Sequence, residues 1–147
     1  MKKALYQFCQ DYVDSRIQRI QNQIAEVKTS LSSESKSTAG DKHETGRAML
    51  QLEREKLGQQ LLEAEKMQQI LRKVPLETNA KKVTLGSLIK TSKASYYISI
   101  SAGKFEKKKE IVFCISSDTP IARLLLGKDV NDVIEFNEIE SKIITIN

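Results

Sequence analysis

The segment "VDSRIQRIQNQIAEVKTSL", residues 13–31, decides the fold of the first half of the chain. Its apolar residues recur at steps of four, three, four, three and four, which is the heptad seam of a coiled coil. They are Val13, Ile17, Ile20, Ile24, Val27 and Leu31. The segment predicts a long amphipathic helix that buries one stripe against a second helix.

A second seam follows along the chain and predicts the second helix. Its members are Leu50, Leu57, Leu61, Ala64 and Leu71, interrupted at Gln68 and widened by Met67, Ile70 and Val74. Pro75 ends the helix because proline removes a backbone donor and disfavours helix at the residue before it. Between the seams, the Ser-rich segment "SSESKSTAGDK" breaks the period. We therefore predict an antiparallel coiled-coil hairpin over residues 1–75, with arms of about 30 residues projecting roughly 45 Å.

Short β-branched and aromatic segments replace the heptads in the second half. They are "VTLGSLIKTS", "SYYISIS", "EIVFCIS", "DVIEFN" and "SKIITIN", separated by predicted turns at "SAGKFEKKK" and "KDVND". Within "TPIARLLLGK" we predict a short helix, capped by Asp118 or Thr119, with Pro120 in its first turn and Gly127 at its end. The pattern predicts an α+β chain in which residues 76–82 link the hairpin to an antiparallel sheet domain at 83–147.

Composition limits the possible functions. The formal charge is +5, with 24 Lys and Arg against 19 Asp and Glu, which favours an anionic partner only mildly. The sequence shows no Gly-rich phosphate loop and no metal-ligand cluster of Cys and His, so an enzyme acting alone is disfavoured. Cys9 and Cys114 lie in apolar patterns and are expected to be buried, reduced thiols. Lacking a membrane-spanning segment, the chain is expected to be cytoplasmic and to have no membrane partner.

The predicted tip of the hairpin, residues 34–46, carries two carboxylates three residues apart, beside the only histidine of the chain, His43. One interpretation is a capping arrangement, in which Asp41 caps the second helix and Glu44 completes a capping box. The other is that Asp41 and Glu44 are hard oxygen ligands that hold Mg²⁺ together with groups from a partner molecule, since two side chains alone would hold it weakly.

The chain also resembles the GreA/GreB family of bacterial transcript cleavage factors. "VTLGSLI" resembles the family's opening strand, and "SSDTPIARLLLGKDVNDVIEF" resembles its "SPIARALIGK" segment followed by an acidic turn and a strand. These motifs follow a hairpin of the right length with "GDKHE" at its tip, where the family has "GDLxEN". The resemblance implies an FKBP-like C-terminal domain that docks on RNA polymerase while the coiled coil enters the secondary channel.

Function and site residues follow from the resemblance. It implies an accessory elongation factor, not itself an enzyme, that stimulates cleavage of backtracked RNA by the polymerase active site. Asp41 and Glu44 would be the catalytic acids, coordinating a Mg²⁺ shared with the polymerase and not held stably by this chain alone. Docking would use the segment Asp118, Thr119, Pro120, Ile121 and Ala122, whereas Leu124 and Leu125 of the same short helix are expected to be core. The implied partners are RNA polymerase and the 3′ end of nascent RNA, and the chain itself is expected to be a monomer.

The tip departs from the family at "TGRAM", where the family commonly continues "NAEYH". Arg47 replaces an acid and Ala48 replaces an aromatic residue. Arg47 is a candidate contact for RNA phosphate or for Glu44, and His43 is either solvated or a second RNA contact. This departure keeps open an alternative, a regulator that occupies the secondary channel without promoting cleavage.

Two hypotheses lie outside the family. A structural or adaptor coiled coil, for example a homodimer, would make the acids a cap and the lysine run Lys107–Lys109 a solubilising loop. A direct nucleic-acid binder is the weakest hypothesis, because the charge is mild and no Phe, Tyr or Trp occurs from Val13 to Ser95.

Overall fold

The structure, a computed structural model, describes the backbone of residues 1–35 and 40–147 and the side chains outside 34–43. Helix α1 spans Lys2–Ser35 and helix α2 spans Gly40–Lys73. Contacts group the chain into two units: Val13–Gln68, and Met1–Tyr12 together with Gln69–Asn147. The division at residues 75 and 83 drawn from the sequence stays a prediction.

The unit Val13–Gln68 is a helical hairpin held together by the two predicted seams. Buried residues from both helices form one cluster, made of Ile20, Ile24, Val27, Leu57 and Ala64. The Arg16 guanidinium lies 3.9 Å from the Glu63 carboxylate and donates to the Met67 sulfur at 3.1 Å, so its partners come from the opposite helix. The predicted antiparallel hairpin is confirmed. Ile70, predicted to widen the apolar face, is instead exposed on the last turns of α2.

Six strands form one sheet in the order β3-β4-β2-β1-β6-β5. Their bounds are β1 Leu88–Thr91, β2 Ser95–Ser99, β3 Gly103–Lys107, β4 Glu110–Ser116, β5 Val133–Phe136 and β6 Ile139–Ile146. The predicted α+β class is confirmed. The sheet is not wholly antiparallel, however: β4 lies between β3 and β2 and runs parallel to β2. Strand β3 follows β2 in the chain but does not pair with it. Instead, β4 lies between the two strands and pairs with both.

Strand β3 corrects the prediction that "SAGKFEKKK" is a turn. The strand covers Gly103–Lys107, and only Phe105 among its residues is partly shielded from solvent. An exposed edge strand has no apolar face to alternate with a polar one, so the period-two signal is absent from its sequence. The turn itself is confined to Lys108 and Lys109, whose φ angles of 50° and 68° are those of a tight hairpin turn.

A hydrophobic core lies on one face of the sheet, in the unit formed by Met1–Tyr12 and Gln69–Asn147, which we call the C-terminal unit. Its buried members come from five elements and the segment before β1: Val83, Ile89, Ile98, Leu125, Ile134 and Ile143. The short helix α3, Pro120–Leu125, contributes Leu125 to this cluster. The predicted start and end of this helix are confirmed, because Thr119 is its N-cap and Gly127 follows with φ +80°.

The first turns of α1 lie in the same unit as the sheet. Leu5 and Cys9 are fully buried there, and the Phe8 and Phe105 rings meet edge to face with centroids 5.4 Å apart. The Tyr6 hydroxyl donates to the carbonyl of Leu71 at 3.2 Å. Cys9 and Cys114 are both buried and free, as predicted.

Candidate functional site

The structure describes the backbone of the predicted tip from Gly40, the first residue of α2, onward. Because α2 starts at Gly40, Asp41 falls in its first turn, where a negative charge is favoured by the helix dipole. The side chains of Asp41 and His43 lie outside the described residues, so neither the capping geometry nor the distance between the two acids is part of the structure. Glu44 is exposed to solvent within α2.

Arg47 and Ala48 follow on the same helix and are both exposed. Arg47 comes three residues after Glu44, which places the two side chains on the same side of α2. The departure from the family pattern therefore falls on the solvent-facing surface of the hairpin, not in its seam. A guanidinium at this position changes the charge that the tip presents to any partner.

Exposed apolar residues beside the tip form a feature that the sequence analysis missed. Met49 and Leu52 are 66% and 65% exposed, and they line an open groove with Leu50, Leu57 and Gln23. Both side chains lie outside the heptad positions of α2. Apolar residues out of register with a seam are the sequence signal for such a surface, because the seam itself does not account for them.

The predicted docking segment contains side chains of two kinds: some cap α3 or pack in the core, and others are exposed to solvent. Thr119 Oγ1 accepts from the backbone N–H of Ala122 at 3.4 Å and donates to the carbonyl of Ser116 at 2.9 Å. Ala122 is fully buried, and Ile121 packs on the core cluster. Asp118 and Pro120 are exposed. Of the five predicted residues, these two are the exposed ones.

Leu124 extends this exposed surface and corrects a prediction. The sequence pattern placed both Leu124 and Leu125 in the core, but only Leu125 is buried, whereas Leu124 is 37% exposed. Residues four apart share one face of a helix, so Pro120 and Leu124 lie together on the outer side of α3. The exposed residues of α3 are thus Pro120, Arg123 and Leu124, close in sequence to the exposed Asp118.

Among residues 1–33 and 44–147, whose side chains are described, no group of three His, Cys, Asp or Glu residues is placed to hold a metal ion. The described helices also include none that is long and apolar enough to span a membrane. Lys107, Lys108 and Lys109 are exposed at the β3–β4 turn. Their accessibility is compatible both with a solvated loop and with phosphate contact, so the two interpretations stay open.

Comparisons with known proteins add little. No protein-family model matches the chain, and no curated protein matches it. A solved structure described as that of the transcription factor Gfh1 aligns with 92% of this chain and 91% of its own. The sequence identity is 17% and the TM-score is 0.36. A likeness this weak carries no functional argument, so the functional inference depends on the residues of this chain.

Proposed function

We propose that this protein is a transcription elongation factor that binds bacterial RNA polymerase, inserts its helical hairpin into the secondary channel and stimulates Mg²⁺-dependent cleavage of backtracked RNA. The observation that carries the proposal is a pairing of two features in one chain. A hairpin with 34-residue helices has carboxylates near its end, and a separate unit carries the motif "DTPIARLLLGK", whose Asp118 and Pro120 are exposed.

The hairpin is built from two long helices. At about 1.5 Å per residue, a helix of this length extends roughly 50 Å. The seam between α1 and α2 stabilises the arm without a second chain, because each helix covers the apolar stripe of the other. The hairpin thus carries Glu44 and Asp41 near the start of α2 on a unit of its own.

The tip would act by providing carboxylate ligands to a Mg²⁺ ion in the polymerase active site. Carboxylate oxygens are the donors that Mg²⁺ prefers, and Glu44 is exposed on α2, so the donor set fits a cation shared with groups from the polymerase and the transcript. When bound in a two-metal site, such a cation lowers the pKa of water and stabilises the attacking oxygen. The role of Asp41 and Glu44 is to hold the cation at that place, and the reaction stays with the polymerase.

Transcript cleavage on a stalled, backtracked elongation complex tests the proposal. The native protein is compared with the Asp41→Ala, Glu44→Ala double variant and with a matched control, Glu55→Ala, Glu65→Ala, which removes two exposed carboxylates elsewhere on α2. We expect the tip variant to lose at least about tenfold of the cleavage rate, as for removal of a group that stabilises developing charge. The control should cleave like the native protein. Equal cleavage by all three would contradict the proposal.

The alternative is a secondary-channel regulator that blocks or modulates the polymerase without promoting cleavage. The exposed Arg47, at a place where the family has an acid, is the observation that favours it. This regulator would compete with a cleavage factor for the polymerase but leave RNA length unchanged. An Arg47→Glu variant that gains cleavage would show that the guanidinium suppresses the metal-binding role of the tip.

Docking is tested separately from cleavage. Pro120→Ala and Leu124→Ala remove exposed apolar surface from α3, and Asp118→Ala removes the neighbouring carboxylate. We expect each to weaken binding to the polymerase by a factor on the order of ten, typical of well-placed interface residues. Glu140→Ala, an exposed carboxylate on β6, is the control. Unchanged binding in all four variants would exclude α3 as the docking surface.

A further inference from the structure

Two cysteines that are far apart in the sequence meet inside the C-terminal unit. Cys9 on α1 is 0% exposed and Cys114 on β4 is 2% exposed. The Cys9 sulfur lies 3.3 Å from the hydroxyl oxygen of Ser99. Strand β4 runs beside β2 in the register Tyr97 to Cys114 and Ser99 to Ser116. Alternate residues of a strand share one face, so Tyr97, Ser99 and Cys114 all face the helix that carries Cys9.

The two thiols are neighbours on this face of the sheet, because Cys9 contacts Ser99 of β2 and Cys114 is paired in register with Tyr97, two residues earlier on the same strand. A disulfide requires sulfur atoms that can approach within bonding distance without a large backbone shift, and two buried cysteines facing each other between α1 and the strands β2 and β4 begin as neighbours. These are the only two cysteines of the chain. An intramolecular bond therefore has a single possible connectivity, and no competing pairing exists within the molecule.

The surroundings make the two thiols unequal. The hydrogen bond from Cys114 lowers the pKa of the Cys9 thiol, as do those from Ser99 and the Ile100 backbone, against the opposing effect of burial. The hydrogen bond to Cys9 raises the pKa of Cys114, and burial raises it further. The thiolate is the form that attacks an oxidant, and the lowered pKa favours that form at Cys9.

A third group completes the pocket. The Tyr97 hydroxyl is buried and has no hydrogen-bond partner among the described residues. Its pKa is raised first by burial and then by the neighbouring Cys9 and Cys114, so it stays protonated. Tyr97 is paired in register with Cys114, and its protonated hydroxyl is a donor without an acceptor among the described residues. An oxygen atom added to either sulfur would provide that acceptor.

We propose that Cys9 and Cys114 are a redox modification site, which a hydroperoxide converts into a reversible disulfide that cross-links α1 to strand β4. With hydrogen peroxide as the oxidant, the Cys9 thiolate attacks one peroxide oxygen, the O–O bond breaks, and a sulfenic acid and one hydroxide result. The hydroxide takes up the proton that the Cys9 thiol had released and becomes water. The Cys114 thiol then attacks the sulfenic sulfur, and the S–S bond forms as water leaves. Overall, two thiols are oxidised, one peroxide is reduced and two waters are produced. The proposal does not depend on the proposed function.

Peptide mapping of the full-length protein tests the site directly. Reduced protein is treated with hydrogen peroxide, blocked with N-ethylmaleimide under denaturing conditions and digested without reductant. We expect a cross-linked peptide pair containing residues 9 and 114, lighter by two hydrogens than the sum of the reduced peptides and released by dithiothreitol. Two alkylated thiols, sulfinic acid on one cysteine without a cross-link, or only intermolecular dimers would each overturn the proposal.

Thermal unfolding gives a second, independent readout. The bond would close a loop of about 100 residues, and loops of that length give the largest stabilisation by a disulfide. We expect peroxide to raise the Tm on the order of 10 °C, and dithiothreitol to reverse the rise. The Cys9→Ala and Cys114→Ala variants should show no such rise, whereas Ser99→Ala, which keeps both thiols, should show it. A cross-linked protein with an unchanged Tm would overturn the claim that the bond joins two parts of the folded unit.

Discussion

Tyr97 illustrates how a buried polar atom can weaken an otherwise well-packed core. Its side chain is fully buried, yet its hydroxyl has no hydrogen-bond partner among the described residues. A buried donor left unpaired costs about 1–3 kcal/mol, because it has lost its hydrogen bonds to water. Tyr97→Phe keeps the ring and removes the unpaired donor. We expect it to raise the free energy of unfolding by about 1 kcal/mol in urea denaturation.

Tyr6 provides the matched control at the same scale. Its hydroxyl donates to the carbonyl of Leu71, so Tyr6→Phe removes a hydrogen bond that is made. We expect this variant to lose about 1 kcal/mol, opposite in sign to the change at Tyr97. A loss at Tyr97 equal to that at Tyr6 would show that the Tyr97 hydroxyl has an acceptor in solution.

At the scale of elements, Gly86 shows why the chain needs glycine just before β1. Its φ is +88°, and an added Cβ would lie 2.9 Å from Pro75 Cγ and 3.0 Å from the Pro75 carbonyl oxygen. Gly103 has the same φ but nothing within 4 Å of its Cβ position. We expect Gly103→Ala to cost about 1–2 kcal/mol for backbone strain alone. Gly86→Ala should cost more, because a backbone atom must also move.

Urea denaturation of both variants separates the two effects. The difference between their free energies of unfolding measures the close approach of Pro75 to Gly86. If the two variants were equally stable, the segment at Pro75 would move away at little cost. That result would argue against a fixed contact between the end of α2 and the turn before β1.

The short helix α3 depends on its N-cap in a way that can be measured without touching its exposed face. Thr119→Ala removes the Oγ1 that accepts from the Ala122 N–H, whereas Thr119→Ser keeps it. We expect the alanine variant to lose about 1 kcal/mol of stability and the serine variant to lose much less. Equal losses would attribute the role of Thr119 to its methyl group instead of its hydroxyl.

Elements could be predicted from the sequence to the extent that burial leaves a periodic trace. The seams of α1 and α2 and the N-cap of α3 were visible in the sequence, and the structure confirms them. Strand β3 left no periodic pattern because most of its side chains are exposed. The prediction for Leu124 was wrong because this apolar residue, which is exposed, was assigned to the core together with its neighbour Leu125. The parallel pairing of β4 with β2 depends on non-local strand order, which no local pattern encodes.

Across the whole molecule, the candidate site was predictable only in part, for a physical reason. The role proposed for Asp41 and Glu44 requires ligands from a partner, and a sequence pattern cannot show ligands that another molecule supplies. Asp118 and Pro120 were identified through a motif, and the structure describes both as exposed. Met49 and Leu52 were missed because a heptad analysis attends to the buried stripe and ignores the apolar residues outside it.

The oligomeric state is the prediction that tests the hairpin as a whole. Within the unit Val13–Gln68, the described seam residues of α1 and α2 pack against each other, so burial of the seam does not require a second chain. We expect light scattering after size-exclusion chromatography to give the monomer mass of 16.6 kDa over a wide range of concentration. Ile24→Asp places a charge in the seam and should lower helicity while the mass stays that of a monomer. A native dimer that dissociates in the Ile24→Asp variant would instead mean that the seam joins two chains, and the proposed arm would no longer end in a single acidic tip.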